Sequence, residues 1–139
     1  MKYFLLTIVC CLTLYNVQAQ TNIEKQIKVG DWVLIQECKK GQKEFESMDV
    51  YARTTEFNKS NVDTLSGNGL LDAFFNDKSI DAKRLPCSMG GRKYKIAAYH
   101  EFVKEGITHR VILLYTKYPL TLIWVELDVA LKMEEIVFY

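Results

Sequence analysis

The chain has 139 residues, 18 basic and 17 acidic side chains, a formal net charge of +1 and 49% apolar residues. That balance excludes the strongly basic surface with which nucleic-acid proteins neutralise phosphates, so no nucleic-acid partner is expected. The length suits one domain with a real core and is short for two.

Residues 1–19 read as a secretory signal peptide. Lys2 supplies the positive start, 4–14 is almost unbroken apolar sequence, and Val17-Gln18-Ala19 ends on the small residue a signal peptidase requires. The apolar run is shorter than the roughly 20 residues a spanning helix needs and lacks a basic flank beyond it, so no membrane span is expected after its removal. Cys10 and Cys11 are then soft apolar filler of the leader, and the domain proper is 20–139. Without Lys2 the charged side chains balance at 17 of each sign. The expected location is secreted or periplasmic. There Cys38 and Cys87 pair by default. A bond closing a loop of about 50 residues adds roughly 4 kcal/mol of stability in the chain-entropy model. The competing use of these thiols, as nucleophile or metal ligand, needs His100 or His109 beside them.

The stretch 21–28 is polar, with Ile23 and Ile27 four apart, as in a short helical turn packing on the domain. Gly30 breaks it. The run 32–38 is β-branched and aromatic enough for a strand, ending at the Lys39-Lys40-Gly41 turn. Residues 50–57 alternate as a second strand, closed by turn formers at 58–61. Ser66-Gly67-Asn68-Gly69 is a loop, because glycine and asparagine at that density favour positive φ. Leu70, Leu71, Phe74 and Phe75 form one face of a helix, yet Ala73-Phe74-Phe75 before Asn76-Asp77 also fits a strand. Periodicity over so few residues leaves both open. Residues 86–91 form a second loop carrying Cys87.

From Tyr94 onward the pattern is a β-meander. Strands over 93–103 and 107–116 flank Glu105-Gly106, a two-residue turn that places Val103 opposite Thr108, Phe102 opposite His109 and Glu101 opposite Arg110. Lys117-Tyr118-Pro119 turns the chain into a strand over 120–127. Residues 128–130 lead to a final strand through Val137, Phe138 and Tyr139. In 120–127 one face carries Leu120, Leu122 and Trp124, the other Thr121, Ile123 and Val125. Both faces are apolar, so both are covered, by a second sheet, a helix, a partner chain or the inside of a barrel.

Catalytic signals are weak. His100 and His109 fall on one face of the hairpin, but two imidazoles without a third ligand make no zinc or copper site. The carboxylates are scattered, no serine sits in Gly-x-Ser-x-Gly, and Met89-Gly90-Gly91-Arg92 lacks the spacing of a phosphate loop. No catalytic residue, metal or cofactor is assigned.

The triplet Gly30-Asp31-Trp32, opening the first strand after a short pre-strand segment, resembles the Gly-x-Trp signature of lipocalins. The later pattern Ile112-Leu113-Leu114, turn, Leu120-Thr121-Leu122 is similar to the closing hairpin of small bacterial lipocalin-like proteins. The chain is shorter than an eight-stranded lipocalin, and Arg110 is out of position for the arginine that stacks on the tryptophan in that family. The resemblance implies an all-β, small antiparallel up-and-down barrel with a short N-terminal helical segment, closed at one end by Trp32. Trp32 as an ordinary core aromatic is the competing reading. The function expected is non-enzymatic binding of a small apolar or amphipathic ligand inside the barrel, with Trp32, Tyr99, Leu113, Leu122 and Trp124 as its lining or closure. The alternative is an interaction module, a sandwich or half-barrel that docks on a partner or forms a homodimer through its second apolar face.

Overall fold

The computed structural model describes residues 27–76 and 79–139. The leader at 1–19 and most of the helical arm expected at 21–28 lie outside the described residues. Ile27, at the end of that arm, is in no helix and packs against the core.

The elements in chain order are β1 (Trp32–Ile35), β2 (Glu44–Arg53), α1 (Leu70–Phe75), β3 (Ile80–Pro86), a 3-10 turn (Cys87–Met89), β4 (Arg92–Lys104), β5 (Ile107–Tyr115), β6 (Thr121–Glu126), α2 (Leu127–Lys132) and β7 (Ile136–Phe138). The strands form one antiparallel sheet in the order β3-β2-β6-β5-β4-β1-β7. The protein is therefore all-β. The sheet curls into a half-barrel, and the closed barrel expected from the sequence is corrected to an open one. β7 has only 3 residues, and the pairing of β2 with β3 breaks register between Glu44 and Asp49, so the two outer strands are not zipped together by a ladder.

The β4–β5 hairpin has the expected register, Val103 with Thr108, Phe102 with His109 and Glu101 with Arg110. Glu105 (φ 52°) and Gly106 (φ 76°) both take positive φ, the requirement of a tight turn that follows the strand twist. The second strand ends earlier than expected, at Arg53 rather than 57, and 128–130 belong to α2 rather than to a simple lead-in. Leu127 and Ala130, three apart, are both fully buried, so a helical turn seats them on one face.

Both faces of β6 are covered, as its two apolar faces require. Inside the curl, Ile123 and Val125 join Val33, Ile35, Phe45, Met48, Ile96, Ile112 and Leu114, with Leu127 and Ala130 closing over them. Outside, Leu122 and Trp124 join Ala98, Val111 and Leu113 beneath Leu70 and Phe74 of α1. The ambiguity over 70–75 is resolved toward helix because Leu70 and Phe74, four residues apart, then both land on the sheet.

Two devices hold this outer cover. Gly67 is buried at φ +75°, and a Cβ there would lie 2.5 Å from the Ala97 carbonyl oxygen and 2.7 Å from Ala98 Cα, at the register break of β4. Arg53 is buried and donates to the carbonyls of Phe74 and Thr55, with its guanidinium 5.5 Å and 5.8 Å from the Phe57 and Phe74 ring centres.

The open seam between β1–β7 and β2 is bridged by side chains. Glu135, 6% exposed, accepts from the backbone N–H groups of Glu46 (3.1 Å) and Ser47 (3.2 Å), from the Ser47 hydroxyl and from Gln42 Nε2 (3.4 Å). Its own carbonyl accepts from Gln36 N–H at 2.8 Å, just past β1. The N–H groups it satisfies lie in the irregular part of β2, and Arg84 donates to the Glu46 carbonyl at 2.8 Å in the same place. Cys38 and Cys87, 49 residues apart with Cα atoms 5.5 Å apart, form a disulfide across the same seam. This pins the 3-10 turn to the end of β1, as the sequence leads one to expect, and leaves neither thiol as a nucleophile or ligand.

Replacing Glu135 by Ala leaves buried N–H groups unpaired and removes a charge-assisted acceptor. Urea denaturation is expected to show a loss of about 2–3 kcal/mol. Gly67→Ala meets backbone at less than contact distance. An expected loss of about 2–4 kcal/mol should come with a red-shifted Trp124 emission as the outer cover lifts.

Candidate functional site

The interior of the curl is filled by side chains, and among the described residues a large cleft lies at one end of the sheet. It arises from a mismatch of strand lengths. β4 begins at Arg92, but its register with β5 begins only at Lys95, opposite Tyr115. Beyond Tyr115 the chain turns through 116–119 toward β6, so Arg92, Lys93 and Tyr94 are paired on the β1 side and face a gap on the other. The 3-10 turn, held by the disulfide, forms the far wall.

The resulting cleft has a volume of about 710 Å³. Its apolar walls are Trp32, Tyr94, Tyr115, Tyr118, Met89 and Pro86. Alternation explains who faces where. Val33, Tyr94 and Ile96 point into the core, so Trp32 and Lys95, which are direct partners across β1 and β4, point outward together, with Tyr115 next across β5. Trp32 is 50% exposed, Tyr115 38% and Tyr118 56%, large aromatic exposures for one small region. Tyr94 is buried and donates its hydroxyl to the Met89 carbonyl at 2.8 Å. Burial raises its phenol above the ordinary value of 10.0, with Arg92 opposing, so it remains a neutral donor at physiological pH.

Arg92, Lys93, Lys95 and Lys117, with Ser88 and Thr116, complete the lining, which among the described residues contains no carboxylate. Two of these cations already lie over rings, Lys93 Nζ 3.7 Å from the Tyr139 ring centre and Lys117 Nζ 5.0 Å from that of Tyr118. A second, smaller cavity of about 180 Å³ lies under the outer cover among Phe57, Val62, Leu70, Phe74, Pro119 and Leu122, and Tyr115 lines both.

The five residues expected to line a barrel cavity do not surround one cavity, although Leu113, Leu122 and Trp124 share the outer cluster. Trp32 is in the cleft and Leu122 borders the smaller cavity. Leu113 is buried in the outer cluster with Trp124 against it, and Tyr99 packs on the opposite, inner cluster with its hydroxyl 3.1 Å from Glu101. Sequence reading missed Arg92, Lys93, Lys95 and Lys117. The available signal was the recurrence of a lysine–tyrosine pair, Lys93-Tyr94 and Lys117-Tyr118, on two segments that flank the same hairpin.

His100 and His109 do lie on one face, the outer one, diagonal across the hairpin, since His109 pairs with Phe102, two residues along β4 from His100. His109 stacks on Phe102 and sits 3.5 Å from Glu126, which also accepts from Trp124 Nε1 at 2.9 Å. Among the described residues no group of three or more His, Cys, Asp and Glu is placed to hold a metal ion, and no helix is long and apolar enough to cross a membrane. No protein-family model, curated protein or solved structure matches this chain.

The Nε2 atom of His100 is buried without a hydrogen-bond partner among the described residues, and burial lowers its pKa from the ordinary 6.5, with Asp72 opposing. The folded protein thus binds this proton less readily than the unfolded chain. The stability this group contributes is full above about pH 6.5 and is lost as pH falls through and below that value. Urea midpoints of the wild type and His100→Leu, compared at pH 7.5 and 5.5, are expected to show a steeper acid loss in the wild type.

Proposed function

We propose that the protein is a non-enzymatic binding protein for a small amphipathic molecule, held in the cleft at the end of the half-barrel rather than within the curl. The observation that carries this reading is the cleft itself, about 710 Å³ and walled by four aromatic side chains around a few polar groups. Its size and lining match those of small-molecule sites, which are typically about 300–1,000 Å³ and mostly apolar with a few placed polar atoms. In the lipocalin-like reading Trp32 stands at one end of the barrel. Here Trp32 opens β1 beside the cleft, with its side chain turned outward from the curl.

Export fits the same picture. The disulfide across the seam belongs to an oxidising compartment, and the leader pattern of 1–19 supplies the route. The interaction-module reading rested on a second apolar sheet face, and that face is covered by α1 and its flanking loop from the same chain.

With Trp124→Phe as background, Trp32 is the single tryptophan, since the chain has 2. Titration with the neutral fluorophore N-phenyl-1-naphthylamine is expected to give saturable energy transfer from Trp32. A Trp32→Leu change in the wild-type chain should weaken the probe's fluorescence-detected affinity about tenfold, matching roughly 1.5 kcal/mol of lost aromatic contact. Absence of saturable binding, or equal affinity in the two proteins, would remove the cleft as the binding site.

A further inference from the structure

The protein as a whole is nearly neutral, with a net charge of +1, yet four cationic side chains converge on one cleft whose lining holds no carboxylate. Ion pairs form elsewhere. Arg84 pairs with Asp49 and Arg110 with Asp128, whereas Arg92, Lys93, Lys95 and Lys117 make no ion pair with a described residue. Glutamates cluster instead around the seam, where Glu37, Glu46, Glu134 and Glu135 border a separate depression with Lys39. Charge is thus segregated along the molecule.

Like charges held in one concavity repel, and low-dielectric walls strengthen the field between them. Here the walls are the rings of Trp32, Tyr115 and Tyr118. An anionic ligand relieves that repulsion, and a neutral one does not. The placement also separates two functions in space. Lys95 stands between Trp32 and Tyr115 in one cross-strand row, so a group bound to its ammonium lies between two aromatic faces. Lys93 and Lys117 hold their ammonium groups over the rings of Tyr139 and Tyr118, beside the cleft.

Resting on the cleft as the binding site, we infer that its ligand is an anion, a molecule joining a carboxylate, sulfate or phosphate group to a flat apolar or aromatic body. The acidic group is held by Lys95 and Lys117, with Arg92 and Lys93 at the margin, and the body lies against Trp32, Tyr115 and Tyr118. Arg92 is the member able to grip two oxygens at once.

The test uses two probes with the same ring system, 8-anilinonaphthalene-1-sulfonate and neutral N-phenyl-1-naphthylamine, titrated into the oxidised protein. The sulfonate is expected to bind about tenfold more tightly, and raising NaCl from about 50 to 500 mM should close most of that gap, because screening weakens exposed charge pairs. In Lys95→Gln/Lys117→Gln the ratio of the two affinities should fall to about one, whereas Lys104→Gln, at the distant hairpin end, should keep it. Far-UV circular dichroism and the urea midpoint verify that each variant is folded. Equal affinities in the wild type, or a sulfonate preference that survives the double change, overturns the anion inference and leaves the cleft reading standing. Failure of both probes to bind overturns both.

Discussion

The architecture depends on the carboxylate of Glu135. An open sheet that curls far enough to bury a core brings its two ends together without a ladder between them, and something must satisfy the backbone groups left there. Glu135 does this from the turn between α2 and β7. Its side chain takes up N–H groups from the irregular stretch of β2, and its main-chain carbonyl takes up Gln36 beyond β1. A buried carboxylate with several donors is favourable where one without them is costly, so the seam is stable as a set and fragile in its parts. The disulfide adds a covalent bridge at the same place and restricts the unfolded chain.

Closing the seam with side chains has a consequence for function. Phe45, Met48, Ile123 and their neighbours fill the space inside the curl, and α2 covers it, so the inside is a packed core. Room for a guest arises where strand lengths disagree, at the end where β4 outruns β5. The same disulfide that closes the seam positions the 3-10 turn as a wall of that cleft. Stability and site therefore share a structural element, while the cations and exposed rings of the cleft contribute little to either core.

The outer face follows a different logic. β6 is apolar on both sides, and the chain meets that demand by folding residues 54–76 back over it. Contact at Gly67 is backbone on backbone, which only a residue without Cβ permits at that φ. Arg53 then anchors the far end through the carbonyls of Phe74 and Thr55. The second apolar face, which in sequence reads as an invitation to a partner, is an intramolecular interface.

Much of this was legible before folding. Alternation in 107–116 and 120–127, the Glu105-Gly106 turn and the pairing of Cys38 with Cys87 depend on short-range rules, period 2 in strands, positive φ in a two-residue turn, and oxidation of an even pair of thiols. The turn, the hairpin pairs and the disulfide held residue by residue, and the strands run over Ile107–Tyr115 and Thr121–Glu126, one residue short at the expected ends. The middle was not legible, because Leu70 and Phe74 become a helical face only once a sheet exists for them to cover. The candidate site was legible in one residue, Trp32. Tyr99, Leu113, Leu122 and Trp124 were grouped with it on the assumption of one closed interior, and curvature decided otherwise by sending Tyr99 inward and the other three outward. The sequence by itself determined strand periodicity, turn chemistry and the even pair of cysteines, since each is set by near neighbours along the chain. The tertiary structure alone decided where the sheet stops, that Glu135 rather than a ladder spans the seam, and that Arg92, Lys93, Lys95 and Lys117 meet. Those outcomes depend on the relative lengths and curl of strands distant in sequence, which no local pattern encodes.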